Sequence, residues 1–259
     1  MPSLAAIWPQ TLLLPALITL TLWVGLTVGL LRLNRLGLRA GRIALLISLP
    51  VLVLAHHEIY QTRADLSMLG AYRAFLAALL IWTWHELAFY SGVLSGPWRQ
   101  PCPPQARGFS RFCYALATHL YHELACIVEL IFLLVLLSGG TNATALLVFV
   151  LSWTLQHSAK LNVLLGINSL QAELFPPHLR YLASYWRSGP PSRFFRPSVS
   201  VATLLALMLW SAAVAHSADP AGVRLAFLAT LMSLGAIEHW MLMLPFPVPA
   251  TARRGTLAE

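Results

Sequence analysis

Ten ionisable side chains sit inside long apolar runs, where removal from water costs several kcal/mol unless the group has a purpose. His85 and Glu86 adjoin in one run. His119, His122, Glu123 and Glu129 follow in the next, His157 and Lys160 (beside Gln156) in a third, and Glu238 with His239 in the last. Imidazole and carboxylate are ligand types for Fe, Mn or Zn, and helix-bundle cores are where carboxylate-rich metal sites are built. On that chemistry the candidate metal ligands are His85, Glu86, His119, His122, Glu123, His157, Glu238 and His239. A neutral histidine on a membrane helix also serves as axial ligand to the magnesium of a chlorophyll or the iron of a haem. Trp82, Trp84, Phe89, Trp153 and Trp240 would then pack on the macrocycle. A third reading is structural: Lys160 pairs with Glu123 or Glu238, and the network fixes helix register. A proton or ion path would use the same residues, but neither repeat symmetry nor a broken-helix pair is evident to support a transporter.

Spacing groups these residues. At about 100° per residue, His119, His122, Glu123, Cys126 and Glu129 share an arc of about 120°, and Gln156, His157 and Lys160 share a similar one. At about 1.5 Å rise per residue, Glu86, His157, Glu238 and His239 lie about 12–13 Å from one common end of their helices. By the same measure Lys160 lies about 9 Å from it, and His119 to Glu123 about 9–15 Å. Neighbours such as His85 and Glu86 diverge by about 100°, so one of each pair is expected at the centre. His56, His57 and Glu58 fall at the opposite end of their run and are expected to cap a short helix there.

The elements that carry these residues must be membrane helices. Of the 259 residues, 58% are hydrophobic and only 10% charged, too little charge to cover a water-soluble domain and too much apolar content for disorder. The sequence predicts one all-α transmembrane domain over residues 1–259. Its seven spans are at about 10–31, 43–60, 71–94, 113–137, 143–166, 198–216 and 223–247. The first lacks a basic leading region and a small-x-small cleavage site, so it is expected to be a retained span. Arginines test the count. Arg32, Arg35, Arg39, Arg42, Arg99, Arg107, Arg111, Arg180, Arg187, Arg193, Arg196, Arg253 and Arg254 fall on one side; Arg63, Arg73 and Arg224 fall on the other. The positive-inside rule then places the N-terminus in the periplasm and the C-terminus in the cytoplasm. The net charge of +8 is therefore topological and not a sign of nucleic-acid binding.

Between the spans, residues 92–108 carry Gly-Pro and Pro-x-Pro-Pro breaks, and 138–142 read as a tight turn. Residues 168–196 form the longest stretch outside the spans. Within it, Leu179 to Arg187 has the pattern of an amphipathic helix in the interface, with Tyr and Trp at headgroup level. Cys102, Cys113 and Cys126 have no zinc or redox spacing and are expected to be free thiols.

Several motifs together resemble the PuhE family, the photosynthetic complex assembly proteins of purple-type phototrophic bacteria. They are Trp82-Thr83-Trp84-His85-Glu86-Leu87, Pro101-Cys102-Pro103-Pro104 with Ala106-Arg107-Gly108, His122-Glu123-Leu124-Ala125, Ser158 to Val163, His178 to Leu182, and Glu238-His239-Trp240. The resemblance runs from about Gly70 to Trp186 and resumes in the last span. It implies a multi-pass protein of the bacterial inner or intracytoplasmic membrane, linked to the genes of the reaction-centre H subunit. The implied role is assembly of the reaction centre and its light-harvesting antenna, whose subunits would be its partners beside membrane lipid. It brings no agreed catalytic mechanism, and an enzymatic activity is not expected. His119 and His157 lie outside the matching motifs. Joined to the residue chemistry, the resemblance makes His85, His122 and His239 the candidate ligands of a metal or a bacteriochlorophyll-type group. Glu86, Glu123 and Glu238 are then co-ligands, and Lys160 the contact for an acidic group. The competing readings are a membrane metalloenzyme of oxidase or hydroxylase type and a purely structural scaffold.

Overall fold

The computed structural model describes residues 9–166, 175–187 and 189–242. Arg253, Arg254, the end of the last predicted span and the start of the 168–196 segment lie outside the described residues. The chain is all-helical, with no strand among the described residues. After a π turn (Pro9–Leu13) come α1 (Leu14–Arg35), α2 (Leu38–Ile47), α3 (Leu49–Thr62), α4 (Met68–Tyr90), α5 (Gly108–Ala117), α6 (Leu120–Leu136) and α7 (Thr144–Leu165). A 3-10 segment (Pro177–Tyr185) precedes α8 (Phe195–Ala215) and α9 (Pro220–Met241).

Three helices are long and apolar enough to cross a membrane: Pro9–Arg35, α8 and α9. Two bent pairs, α2 with α3 (42°) and α5 with α6 (68°), each pass as a unit, which raises the number to at most five. The described helices thus support three to five spans by length and composition, not the seven expected. The predicted second span is broken at Ser48, ahead of Pro50 in the first turn of α3, where a ring without an N–H suits a helix start. The predicted fourth span is broken at Thr118 and His119, and His119 leaves helical geometry. Broken-helix pairs, not evident from the sequence, are therefore present. α4 and α7 hold the predicted third and fifth spans but are not among the candidate crossings.

α4 and α9 are the central elements. α4 packs against α1, α2, α3, α6, α7 and α9, and α9 against α1, α4, α7 and α8. Both owe this to small residues: Ala71, Ala74, Ala77 and Ala78 on α4, and Gly222, Ala226, Ala229, Gly235 and Ala236 on α9, are buried. Small side chains let helix backbones approach closely where no water drives association. Gly235 leaves no room for a Cβ beside Leu155 of α7. Phe75 stacks on Phe227 at 4.0 Å between ring centroids, joining α4 to α9.

The two ends of the bundle are built differently. At the upper end the 138–142 turn, as expected, is tight, and it docks on the α3–α4 turn. The amides of Thr141 and Asn142 donate to the Arg63 carbonyl at 2.8 Å, and Asn142 Nδ2 donates to the carbonyls of Thr62 and Asp65. Ser67 caps α4 by accepting from the Gly70 amide. The Ser67 hydroxyl and amide in turn hold the Asp65 carboxyl below its ordinary pKa. Arg73 lies inside α4 and not in a loop, yet reaches Glu58 of α3 at 2.8 Å. At the lower end, the expected amphipathic segment takes the tighter 3-10 form, burying Leu179, Leu182 and Tyr185. It is pinned by Ser184, which accepts from the Cys102 amide, and by Arg111, which donates to the Tyr185 carbonyl.

Candidate functional site

α3, α4, α6 and α7 carry the polar residues into one diagonal strip. Its lower centre is Glu123 on α6, 5% exposed. Its carboxylate accepts from Lys160 Nζ at 2.8 Å and Trp153 Nε1 at 2.9 Å, both on α7, and meets His157 Nε2 at 2.8 Å. His119 Nε2 stands 3.7 Å away, too far for a hydrogen bond. Lys160 also donates to Gln156 Oε1, and Gln156 Nε2 donates to Glu86 Oε1 on α4. Of the two predicted partners for Lys160, the structure selects Glu123.

The upper centre is Glu129, about 9 Å above Glu123 along α6 and at the opposite edge of the same polar arc of about 120°. Its oxygens meet His56 Nε2 at 2.7 Å and His85 Nε2 at 3.3 Å. His56 was not expected in this layer, because its distance from its helix end puts it on the opposite side. The run α2–α3 is bent, and Glu129 lies well above Glu123, so the layer rises to meet it. The helical spacing of Glu123 and Glu129 was the available signal. His85 and Glu86 diverge as adjacent residues should, but both find partners: His85 with Glu129 and Glu86 with Gln156. Only one of the two was expected to reach the centre.

Several groups are already satisfied. His157 Nδ1 donates to the Trp153 carbonyl and His56 Nδ1 to the Leu52 carbonyl, while the other nitrogen of each faces a carboxylate. Each of these imidazoles thus meets two acceptors, an arrangement that suits a doubly protonated ring. His239, 1% exposed, donates from Nδ1 to the Gly235 carbonyl and contacts Ser158 Oγ with Nε2, as a neutral ring can. Glu238 lies on an exposed face of α9 and, among the described residues, accepts only from Trp23 Nε1 of α1, at 3.0 Å. Glu238 and His239 are therefore not brought into the strip.

What remains open is the step between the two centres. His85 and His122 are buried, with ring centroids 6.3 Å apart, between Phe89 and Phe149. The Nδ1 atom of each has no hydrogen-bond partner among the described residues. His122 Nε2 lies 3.7 Å from both Glu86 Oε1 and Cys126 Sγ. Among the described residues no three His, Cys, Asp or Glu side chains are grouped as metal ligands. The donor set at this step is thus two imidazoles. Two imidazoles alone are fewer ligands than a bare ion needs.

A family model described as a protein of unknown function, DUF3623, matches residues 10–252. The chain belongs to the DUF3623 family. A curated relative from Rhodobacter capsulatus is 35% identical over 239 residues, which cover 90% of this chain and 87% of the relative. That relative is described as an uncharacterized 30.4 kDa protein in the puhA 5' region. No solved structure matches.

Proposed function

We propose that this protein is an integral membrane factor of the PuhE type that assists assembly of the photosynthetic reaction centre and its light-harvesting antenna. The observation that carries the reading is the place of the Rhodobacter capsulatus relative, in the puhA 5' region. A factor encoded beside a photosynthetic complex is suited to act on that complex or its pigment. The reading takes the chain as one domain in the bacterial cytoplasmic or intracytoplasmic membrane. Its seven crossings are α1, the bent pair α2–α3, α4, the bent pair α5–α6, α7, α8 and α9. The N-terminus is periplasmic and the C-terminus cytoplasmic. α4 and α7 are the less apolar crossings because they carry the inward-facing polar strip, which neighbouring helices satisfy in place of lipid. The arginine asymmetry supports the orientation.

Within this role, the His85–His122 step is the place for a ligand. A bacteriochlorophyll-type macrocycle supplies four nitrogens to its own magnesium and asks the protein for one imidazole, which is what His85 or His122 has free. The Glu123 centre then holds α6 and α7 in register around it. A second reading, a purely structural scaffold, is favoured by the number of groups already paired with one another. Deletion of the gene in its host tests the role: reaction-centre and antenna absorbance is expected to fall several-fold at unchanged transcript levels. The absorption spectrum of the purified protein, with metal analysis, tests the ligand. A near-infrared band lost in His85→Ala/His122→Ala supports pigment binding, and neither pigment nor metal leaves the scaffold reading.

A further inference from the structure

The arginines of the two ends differ in what they touch. At the upper end each is engaged: Arg63 with the Tyr60 carbonyl and ring, Arg73 with Glu58, and Arg224 with the Leu66 carbonyl. At the lower end Arg42, midway along α2, makes no hydrogen bond or ion pair among the described residues. It lines a cavity of about 110 Å³ with Ser95, Arg99, His178 and Tyr181. Among the described residues no carboxylate lines this cavity. Arg99 uses its Nε on the Gly96 carbonyl, and its two terminal nitrogens have no partner among the described residues. The Tyr181 hydroxyl is buried without a partner. His178 is fixed by a hydrogen bond from Nε2 to the Tyr90 carbonyl at 2.9 Å.

The walls are preformed. Gly92 turns the chain after α4 with φ +70°, a left-handed conformation that suits glycine, and an added Cβ would meet the His178 ring at 3.4 Å. The 3-10 segment is held from its far side by Cys102 and Arg111. Two arginines and a tyrosine therefore line a space worth three to four waters, at about 30 Å³ each. Burial lowers the His178 pKa, and the charges of Arg42 and Arg99 lower it further against the pull of the Tyr90 carbonyl. The site is thus electropositive without a protonated histidine.

We infer that this lower-end cavity binds a phosphoryl group, presented by the headgroup of an anionic phospholipid. Guanidinium is matched to phosphate oxygens in charge and in planar, forked geometry. The helix ends that frame the cavity are where headgroups lie for a chain that spans the bilayer. A choline headgroup would bring a cation against Arg42 and Arg99, so phosphatidylglycerol should be preferred to phosphatidylcholine.

The test uses the purified full chain in mixed micelles, titrated with phosphatidylglycerol, phosphatidylcholine or inorganic phosphate and read by native mass spectrometry. One retained phosphatidylglycerol per chain is expected, weakened about ten-fold or more in Arg42→Gln/Arg99→Gln as charge-assisted hydrogen bonds are lost. Tyr181→Phe should weaken it by a smaller factor. Arg193→Gln/Arg196→Gln removes the same two charges elsewhere and should leave retention unchanged. Equal loss in that control, or equal retention of the two lipids, would overturn the proposal. Displacement of the lipid by millimolar inorganic phosphate would keep the phosphoryl site but overturn the lipid as its source. A variant that fails to fold is set aside for Arg42→Lys, which keeps the charge but not the fork and is expected to bind with intermediate affinity.

Discussion

Glu123 and Glu238 look alike in the sequence: each adjoins a histidine inside an apolar helix. In the structure they differ. Glu123 is buried and has three close donors, one of them the chain's only lysine. Glu238 is exposed on α9 and has one indole N–H. The contrast shows that a carboxylate in a membrane helix belongs to a centre only if a neighbouring helix brings charge to it. α6 and α7 do this for Glu123, whereas α9 presents Glu238 outward, to α1. His239 follows the same logic: it is fully buried but closed on Ser158 and on its own helix, so depth alone does not make a site.

The largest expected effect comes from breaking the first half of that comparison. Glu123→Gln leaves the Lys160 ammonium partly buried without its counter-charge. The cost expected is about 3 kcal/mol of unfolding free energy, the low end of the range for stranding one member of a buried pair because Lys160 keeps some exposure. Denaturant titration in micelles reads this, and adding Lys160→Met should restore most of the loss, which a double-mutant cycle would register as coupling. Glu129→Gln should cost about 2 kcal/mol, since one of the two imidazoles then faces an amide N–H in place of a carboxylate oxygen but no lysine is stranded. Glu238→Gln should cost less than about 1 kcal/mol, as expected for an exposed group with a single neutral donor. Equal losses at Glu123 and Glu238 would erase the distinction between them.

The smallest effect concerns the lower end and pH. The folded state lowers the His178 pKa, chiefly by burial. A depressed histidine contributes stability that is present above its ordinary value of 6.5 and is lost as pH falls through the folded value. Amide exchange in Pro177–Tyr185 should therefore quicken as pH is lowered from 6.5 toward the folded value and level off below it, after correction for intrinsic rates. His178→Gln should flatten the dependence.

Composition and periodicity made the all-helical membrane character legible, and also the shared faces of α6 and α7. Those faces are set by backbone geometry at 100° per residue, which the sequence carries directly. The breaks at Ser48 and at Thr118–His119 were hidden, because neither glycine nor a mid-run proline marks the second, and hydropathy runs smoothly through both. The entry of His56 was hidden for a related reason. Depth along one straight helix says nothing about a bent pair, and helix neighbours are a tertiary fact. His119 and His157, outside the family-like motifs, do flank Glu123, while His239, inside them, does not. Motif membership and position in the strip are separate properties here.

The central claim is that this chain supports photosynthetic complex assembly through the His85–His122 step. The most direct measurement is the near-infrared absorbance of membranes from a deletion strain complemented with wild type or with His85→Ala/His122→Ala, at matched protein levels. Restoration of reaction-centre and antenna bands by wild type but not by the double variant is the result expected. Full restoration by the variant would remove the site from the function, and wild-type bands in the uncomplemented deletion would contradict the assembly role itself.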